Sequence, residues 1–231
     1  MGITSVAPNL HLIAFDFGQS YVWHDGDSVT LIDAGIAGSG AAIEEALAAL
    51  GFRTSDVDRL VLTHYHEDHS GGAAEVAAWG VEVLAHHLDA PVIRGEIPMP
   101  PADLADAPDW ERALFDTLPP MPAAPPVHVD RELSDGDVLD FGARVVHIPG
   151  HTDGSIALHL PEHGVLFTGD AVANVDGRTA LGVFNRSRPL ALESFRLLAA
   201  LDVETTCFGH GDPIVGGASS RLRTAVSHAE V

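Results

Sequence analysis

The sequence predicts a fold of the α/β class, built as one domain over residues 1–231. Segments that alternate apolar and polar residues, or that form short apolar runs, are followed by segments with the 3.6-residue spacing of helices. This order occurs in two successive halves of the chain, and hairpin-like segments lead into each half. With 231 residues, 46% of them hydrophobic, the chain is long enough to bury a substantial core.

The first half begins with a predicted β-hairpin and continues with alternating strands and helices. Its predicted strands lie at residues 6–17, 20–24, 28–32, 57–63 and 81–85, and its predicted helices at 41–50 and 72–79. The first helix is supported by the spacing of Ile43, Ala46 and Leu47, and Gly51 ends it. The strand at 57–63 is mostly apolar and is predicted to be buried.

A proline-rich segment separates the two halves. Ten of the 15 prolines lie between residues 91 and 126, and a short helix is predicted at 109–118 within this segment. Proline lacks the N–H group that a central strand needs, so the segment is predicted to be an irregular insertion that forms a lid or a pocket wall. A bare linker is the alternative, and the apolar residues Trp110, Leu114 and Phe115 argue against it.

The second half repeats the alternation of strands and helices. Its predicted strands lie at 144–148, 155–160, 165–168 and 205–208, its predicted helices at 190–201 and 219–229, and a loop is predicted at 174–189. Three of these strands lead into a polar residue with a glycine beside it. Loops at strand ends are where a rigid sheet can direct side chains toward a common point.

The charge of the chain excludes several classes of function. It contains 33 acidic residues against 12 basic ones, all arginines, which gives a formal charge of −21. Binding of nucleic acids or anionic membranes needs clustered cations, so neither partner is expected. Since no apolar stretch is long enough to span a membrane and no leader peptide is evident, we expect a cytoplasmic enzyme that acts on a small molecule. The single cysteine, Cys207, allows neither an intrachain disulfide nor a thiolate cage for zinc.

The stretch Thr63–Gly72 concentrates potential metal ligands. His64, His66, Asp68 and His69 fall within six residues, where an apolar strand gives way to a helix. Neutral imidazoles and a carboxylate form the ligand set of zinc and similar divalent metals. A histidine on its own is more often a structural residue, but clustering of this kind favours metal binding.

Three further candidate ligands follow strands later in the chain, and each has a glycine beside it that lets the backbone come close to a metal. The total of five histidines and two aspartates is too large for one tetrahedral zinc. It fits two metals bridged by a carboxylate and a water, with zinc as the expected metal and iron or manganese as alternatives. The first metal is assigned to His64, His66 and His151, the second to Asp68, His69 and His210, and the bridge to Asp170.

The order of these residues, His-x-His-x-Asp-His followed by a distant His, an Asp and a His, resembles the metallo-β-lactamase superfamily. The resemblance extends from the strand before Asp33 to His210. It implies an αββα sandwich, in which two mixed β-sheets pack face to face with helices outside and the metals along one edge. It also implies the same division of the seven ligands between two metals. This superfamily hosts hydrolases, nucleases, oxygenases and redox enzymes, so the resemblance specifies the site better than the substrate.

Details of the motif narrow the activity that the resemblance implies. Flavodiiron-type members carry a glutamate in place of the second histidine, whereas His66 stands here and favours hydrolysis. Asp170 resembles the bridging aspartate of glyoxalase II and lactonase-like members, which true β-lactamases lack. Acyl-homoserine-lactone lactonases place a tyrosine a few residues after that aspartate, whereas residues 171–173 are Ala-Val-Ala here.

Three hypotheses about function remain open. The first is hydrolysis of an ester, thioester or lactone by a hydroxide between two metals, with Asp68 as both ligand and proton acceptor. A sulfur dioxygenase or another redox member with a single iron is the alternative, and a non-catalytic binding protein is the third. Asp33 is predicted either to orient a ligand histidine or to cap a turn. Arg186 and Arg188 are predicted either to contact an anionic substrate or to face solvent or an ion-pair partner.

Overall fold

The computed structural model describes residues 2–26 and 28–229. Within them the chain forms two compact units, with divisions after Met99, Pro120 and Leu133. The first unit holds the chain up to Met99 and then Met121–Leu133, and the second holds Pro100–Pro120 and the chain from Ser134 onward. Each unit contains its own mixed β-sheet.

The first unit is built on a seven-stranded sheet. Its strands, adjacent in chain order, are β1 (Gly2–Ala7), β2 (Leu10–Ala14), β3 (Gln19–Asp25), β4 (Ser28–Ile32), β5 (Val57–Val61), β6 (Glu82–His86) and β7 (Arg131–Leu133). The strands from β1 to β4 pair antiparallel, and those from β4 to β7 pair parallel. The helices of this unit are α1 (Gly40–Ala49), α2 (Glu67–Ser70), α3 (Ala73–Ala77) and α4 (Ala90–Ile93).

The parallel part of this sheet brings two strand ends to the same edge. β4 and β5 run side by side, and Ile32 pairs with Val61. Their apolar side chains are fully buried, as Leu31 and Leu60 show, in a core that also contains apolar residues of α1 and α3. Because this burial fixes the register of the two strands, the polar residues that follow each strand emerge together.

The second unit contains a five-stranded sheet and a separate hairpin. Its strands are β8 (Arg144–His147), β9 (Ile156–Leu160), β10 (Val165–Phe167), β11 (Val172–Val175), β12 (Arg178–Leu181), β13 (Thr205–Cys207) and β14 (Ile214–Val215). The larger sheet has the order β14-β13-β10-β9-β8, and β11 pairs with β12. Its helices are α5 (Asp109–Phe115), α6 (Arg188–Ala199) and α7 (Ala218–Ala229). Since β10 and β13 are parallel neighbours, the segments that follow them leave the same edge of the sheet.

Helix α6 shows how the sequence defines the local structure of this unit. Ser187 caps its N-terminus, where the side-chain oxygen accepts a hydrogen bond from the backbone N–H of Leu190. Phe195 of α6 and Leu222 of α7 belong to one buried cluster. Cys207 is buried in β13 and is a free thiol, in agreement with its predicted place in an apolar strand. No helix in the described part of the chain is long and apolar enough to cross a membrane.

The α/β class with two mixed sheets is confirmed, although some boundaries differ from the prediction. The segment predicted as one strand at 6–17 belongs to two strands, β1 and β2, because the chain turns at Pro8 and Asn9. β7 and β14 were not predicted, since each has three or fewer residues and no alternating pattern of useful length. They are strands because they pair with neighbouring strands, and not because of their local sequence.

The prediction of a loop throughout 174–189 is wrong at its beginning. Residues Asn174 and Val175 end β11, and β12 follows after Asp176 and Gly177. Asp176 and Gly177 have φ angles of 51° and 73°, and Val175 pairs directly with Arg178. An Asp-Gly pair with positive φ at both positions is typical of a two-residue hairpin turn, so the signal was present in the sequence.

The proline-rich segment divides between the two units. Residues 100–120 belong to the second unit, and the flanking parts belong to the first. The predicted helix is present as α5, but Trp110 and Leu114 are 58% and 41% exposed. The buried side chain of this helix is instead Glu111, at 1% exposure. The assignment of residues 1–231 to a single domain, with this segment as an insertion, stays a prediction.

Gly150, beside His151, is required by close packing of two backbone segments. Its φ is 131°, and a Cβ atom at this position would lie 2.2 Å from the backbone nitrogen of Ala191 in α6. The glycine therefore lets α6 approach, which differs from the predicted role of giving the backbone access to a metal.

Replacement of Gly150 with alanine is expected to lower the free energy of unfolding by at least about 3 kcal/mol, because steric overlap adds to the strain of positive φ. Gly142→Ala is the matched control, since Gly142 has a φ of 82° and a Cβ atom there would meet nothing within 4 Å. It should cost only about 1–2 kcal/mol. Urea denaturation measures both values, and equal costs would contradict the packing argument.

Candidate metal centre

The first unit gathers the four residues of the His-x-His-x-Asp-His motif around the start of α2. His66 is the residue that precedes this helix, and Asp68 and His69 lie within it. The ring centroid of His64 lies 4.8 Å from that of His66 and 4.1 Å from that of His69. The Nε2 atom of His69 lies 3.7 Å from Oδ2 of Asp68. The turn from strand to helix thus brings four potential ligands into one group.

Most of these four side chains are buried. His64 and His69 are 1% and 0% exposed, Asp68 is 7% exposed, and His66 is half-buried. Burying an imidazolium ion is costly, so these surroundings favour the neutral imidazole. Neutral imidazole is also the form that binds metals.

Asp33 determines which ring nitrogen carries the proton in two of these histidines. Its Oδ2 accepts hydrogen bonds from Nδ1 of His69 at 2.8 Å and from Oγ1 of Thr63 at 2.7 Å, and its Oδ1 accepts from the backbone N–H of Thr63 at 2.7 Å. The Thr63 hydroxyl donates its only hydrogen to Asp33, so its oxygen accepts from Nδ1 of His64 at 3.1 Å. Both imidazoles therefore carry their proton on Nδ1 and their lone pair on Nε2, as a metal ligand requires.

The position of Asp33 follows from the parallel pairing of β4 and β5. Asp33 comes directly after Ile32 and has a φ of 60°, in the left-handed region that aspartate tolerates better than most residues. Its backbone N–H donates to the carbonyl of Val61 at 2.9 Å, which places the carboxylate next to Thr63. Of the two predicted roles, the structure therefore shows the orienting one.

Several residues that hold the motif were not singled out from the sequence. Asp89, which is 1% exposed, accepts a hydrogen bond from the backbone N–H of Tyr65 at 3.1 Å. The hydroxyl of Ser70 donates to the carbonyl of Tyr65 at 2.8 Å. A Cβ atom on Gly18, whose φ is 67°, would lie 2.5 Å from the carbonyl oxygen of Asp68. Of the residues that hold the motif, only Thr63 and Ser70 could have been found from the sequence, because they directly flank the predicted ligands.

The second unit gathers the remaining three predicted ligands around Asp170. Its Oδ2 lies 3.6 Å from Nε2 of His151 and 3.2 Å from Nε2 of His210. His151 is 2% exposed, whereas the side chain of His210 is 38% exposed. Asp170 lies in the 3-10 turn Gly169–Ala171 that follows β10, and the backbone N–H of Gly209 donates to the carbonyl of Gly169 at 2.9 Å. One carboxylate is thus placed between two imidazoles.

The two arginines after β12 differ in their partners. Nη1 of Arg188 lies 3.3 Å from Oε2 of the buried Glu111, whose other oxygen accepts a hydrogen bond from the backbone N–H of Phe184. This ion pair ties α5 to the start of α6, so it is the predicted ion-pair role that the structure shows for Arg188. Nε of Arg186 lies 3.9 Å from Oδ2 of Asp153, and its backbone N–H donates to the carbonyl of His151 at 3.4 Å.

The residues of each unit fit the chemistry of a divalent metal. The described part of the chain contains groups of histidines and aspartates with ligand atoms suitable for an ion. In the first unit the buried imidazoles are held in the metal-binding tautomer, and in the second a carboxylate accompanies two imidazoles. Nitrogen and carboxylate oxygen ligands without thiolate suit zinc, iron and manganese.

Comparison with known proteins shows which proteins this chain resembles in sequence. The sequence profile of the metallo-beta-lactamase superfamily matches residues 13–210. A curated relative, the probable metallo-hydrolase YqjP of Bacillus subtilis, is 29% identical over 218 residues, which cover 82% of this chain and 66% of the relative. The acyl-coenzyme A thioesterase MBLAC2 of Gallus gallus is 40% identical over 123 residues, which cover 48% of this chain and 40% of the relative. The chain therefore spans less than two thirds of either relative.

A solved structure shows the same fold. The crystal structure of the metallo-beta-lactamase family protein TTHA1429 from Thermus thermophilus matches with a TM-score of 0.72 and 27% sequence identity. The match covers 98% of this chain and 81% of that one. The predicted fold class is therefore confirmed.

Proposed function

Because the chain belongs to the metallo-beta-lactamase superfamily, we propose that it is a metal-dependent hydrolase that cleaves an ester, a thioester or a lactone. The observation that carries this proposal is the ordered series of seven ligands, of which each unit presents its own share as a compact group. The thioester class is supported by the similarity to the acyl-coenzyme A thioesterase MBLAC2. The strong negative charge of the chain, −21, favours a small-molecule substrate over a nucleic acid.

The seven predicted ligands are proposed to hold two ions. His64, His66 and His151 would hold the first ion, Asp68, His69 and His210 would hold the second, and Asp170 would be a ligand shared by both. Zinc is the proposed metal, with iron or manganese as alternatives. When bound, such ions supply a hydroxide at neutral pH and polarise the carbonyl group of the substrate.

The side chains of the protein have distinct parts in this reaction. The Asp33 carboxylate holds the proton of His69 on Nδ1 and, through Thr63, that of His64 on Nδ1, so the Nε2 lone pair of each imidazole is the one that would bind an ion. Asp68, which is 7% exposed, is the proposed proton acceptor. It takes the proton that the water loses and returns it to the leaving group when the carbon–oxygen or carbon–sulfur bond breaks. We also propose that the protein acts as a single-domain enzyme in the cytoplasm.

Metal analysis together with an activity panel tests this function. Elemental analysis of the purified protein is expected to find two zinc-like ions per chain. Hydrolysis of a panel of esters, thioesters and lactones should disappear on chelation and return when zinc is added. A protein that holds one iron per chain, consumes oxygen with a persulfide substrate and hydrolyses none of the panel would refute the proposal in favour of the dioxygenase.

A further inference from the structure

The first unit contains a cavity of about 240 Å³ against the proline-rich segment. Part of its lining comes from the two ends of that segment, with Ile97 and Met99 at the first end and Ala124 at the second. The two ends are joined, because the backbone N–H of Val127 donates to the carbonyl of Ile93 at 3.0 Å. This lining is therefore a built part of the first unit, with hydrogen-bonded backbone behind it.

Another part of the lining comes from the motif that carries the predicted ligands. Tyr65, Glu67 and Ser70 line the cavity, and each of them is next in sequence to a predicted ligand. Consecutive Cα atoms are about 3.8 Å apart, so a group that occupies the cavity lies within one residue of the ligand-bearing backbone. A group bound there therefore lies beside the backbone of the motif.

The chemistry of the walls defines the group that fits. Ile97 and Met99 are 47% and 41% exposed, which leaves apolar surface uncovered next to the cavity. Among the described residues, the lining contains no arginine or histidine, and its ionisable groups are Tyr65 and Glu67. An anionic group would have no cationic partner among these residues, and most of the lining is aliphatic, so the cavity favours an uncharged apolar occupant.

The volume limits the size of this group. An apolar cavity of about 150 Å³ holds one benzene molecule, so the volume found here accepts an apolar chain of roughly six to ten carbon atoms. It is smaller than the roughly 300–1,000 Å³ of pockets that enclose whole drug-sized ligands. The cavity is therefore suited to one arm of a substrate.

We propose that this cavity binds an uncharged apolar chain of the substrate, which makes the protein selective for esters or thioesters with a chain of medium length. The inference rests on the proposed hydrolase function for its activity test but not for its binding test. This apolar chain of the substrate belongs either to the acyl group or to the leaving group, and in both cases it is uncharged.

Binding is tested without any catalysis. The sequence contains three methionines, at positions 1, 99 and 121, and of the two that the structure describes, Met99 lines the cavity and Met121 does not. In metal-free protein labelled with ¹³C-methyl methionine, hexanamide is expected to shift the Met99 methyl resonance in a saturable manner and to leave that of Met121 unchanged. Acetamide should shift neither, and Met99→Leu assigns the signal. A Met99 signal that does not respond to hexanamide overturns the proposal, whether or not the protein is a hydrolase.

Selectivity is tested with two series of thioesters, one that lengthens the acyl chain and one that lengthens the leaving group. In one series kcat/KM should rise by about fourfold per methylene group until the cavity is full. Ala124→Phe, which fills the cavity, should remove this rise, so that kcat/KM no longer depends on chain length. The control is Ala102→Phe, at an exposed alanine outside the lining. Ile97→Asp provides a second variant at an exposed position and should also abolish the rise.

The outcomes separate the two proposals. A rise in either series that Ala124→Phe removes supports the cavity and identifies the arm that binds there. A hydrolase whose kcat/KM is independent of chain length in both series overturns the cavity proposal but leaves the hydrolase intact. A protein that binds hexanamide at Met99 and hydrolyses nothing overturns the hydrolase instead.

Discussion

Replacement of Asp170 with asparagine is expected to reduce kcat/KM by about a thousandfold, which corresponds to several kcal/mol of lost transition-state stabilisation. The carboxylate lies between two imidazoles, 3.6 Å from Nε2 of His151 and 3.2 Å from Nε2 of His210. An asparagine side chain keeps the shape but loses the negative charge, and its amide nitrogen is not a metal ligand. The variant should also bind fewer than two ions per chain.

Asp176→Asn is the matched control for this experiment. Asp176 is an exposed aspartate in the turn between β11 and β12, and its φ of 51° is one that asparagine tolerates. The control should retain full activity and both ions. Elemental analysis and steady-state kinetics measure the two properties, and an Asp170→Asn protein with more than a tenth of the original kcat/KM would show that Asp170 is not the bridge.

Asp33→Asn is expected to weaken zinc binding by roughly 10- to 100-fold, the usual consequence of removing a carboxylate behind a metal-binding histidine. Asp33 is 3% exposed and accepts hydrogen bonds from His69, from the Thr63 hydroxyl and from the Thr63 backbone. The asparagine side chain has only one acceptor atom, so at least one of these donors loses its partner. The free energy of unfolding should fall by about 3 kcal/mol as well, because hydrogen bonds to a buried charged group are lost.

Asparagine separates this effect from backbone strain, because it tolerates the positive φ of 60° at position 33. Competition with a chromophoric chelator measures the zinc affinity without any assay of activity. Asp16→Asn, at an exposed aspartate in the preceding hairpin, is the control and should bind zinc normally. Thr63→Val should have a smaller effect, since it removes the acceptor for His64 and leaves the contact between Asp33 and His69. Unchanged zinc affinity in Asp33→Asn would contradict the orienting role.

The contacts of Asp33 explain why this position carries an aspartate. Aspartate has the smallest side chain that can accept three hydrogen bonds. Asp33 accepts all three where β4 and β5 end. Through Thr63 it acts on His64 as well as on His69, so one residue sets the tautomer of two predicted ligands. The consequence is that substitutions at position 33 affect both ions of the proposed site.

The proline-rich segment illustrates how composition predicts less than contacts do. Ten prolines made a regular strand improbable, and the lid or pocket wall was one of two predicted roles. The structure gives the ends of the segment to a cavity wall in the first unit and its helix, through Glu111, to the second. A buried glutamate in a short helix has no recognisable local signal, because its partners Phe184 and Arg188 lie more than 70 residues away.

The sequence by itself determined the α/β class, the family and the order of the seven candidate ligands. These depend on local patterns: the alternation of apolar residues, the spacing of the histidines in the motif, and strands that lead into glycine-flanked polar residues. Only the tertiary structure decided which ring nitrogen of His64 and His69 holds the proton. That choice depends on Asp33, which is separated from His69 by 36 residues and reaches it only because buried side chains fix the register of β4 and β5. Local chemistry specifies which atoms can bind a metal, and the packing of strands specifies the direction in which they point.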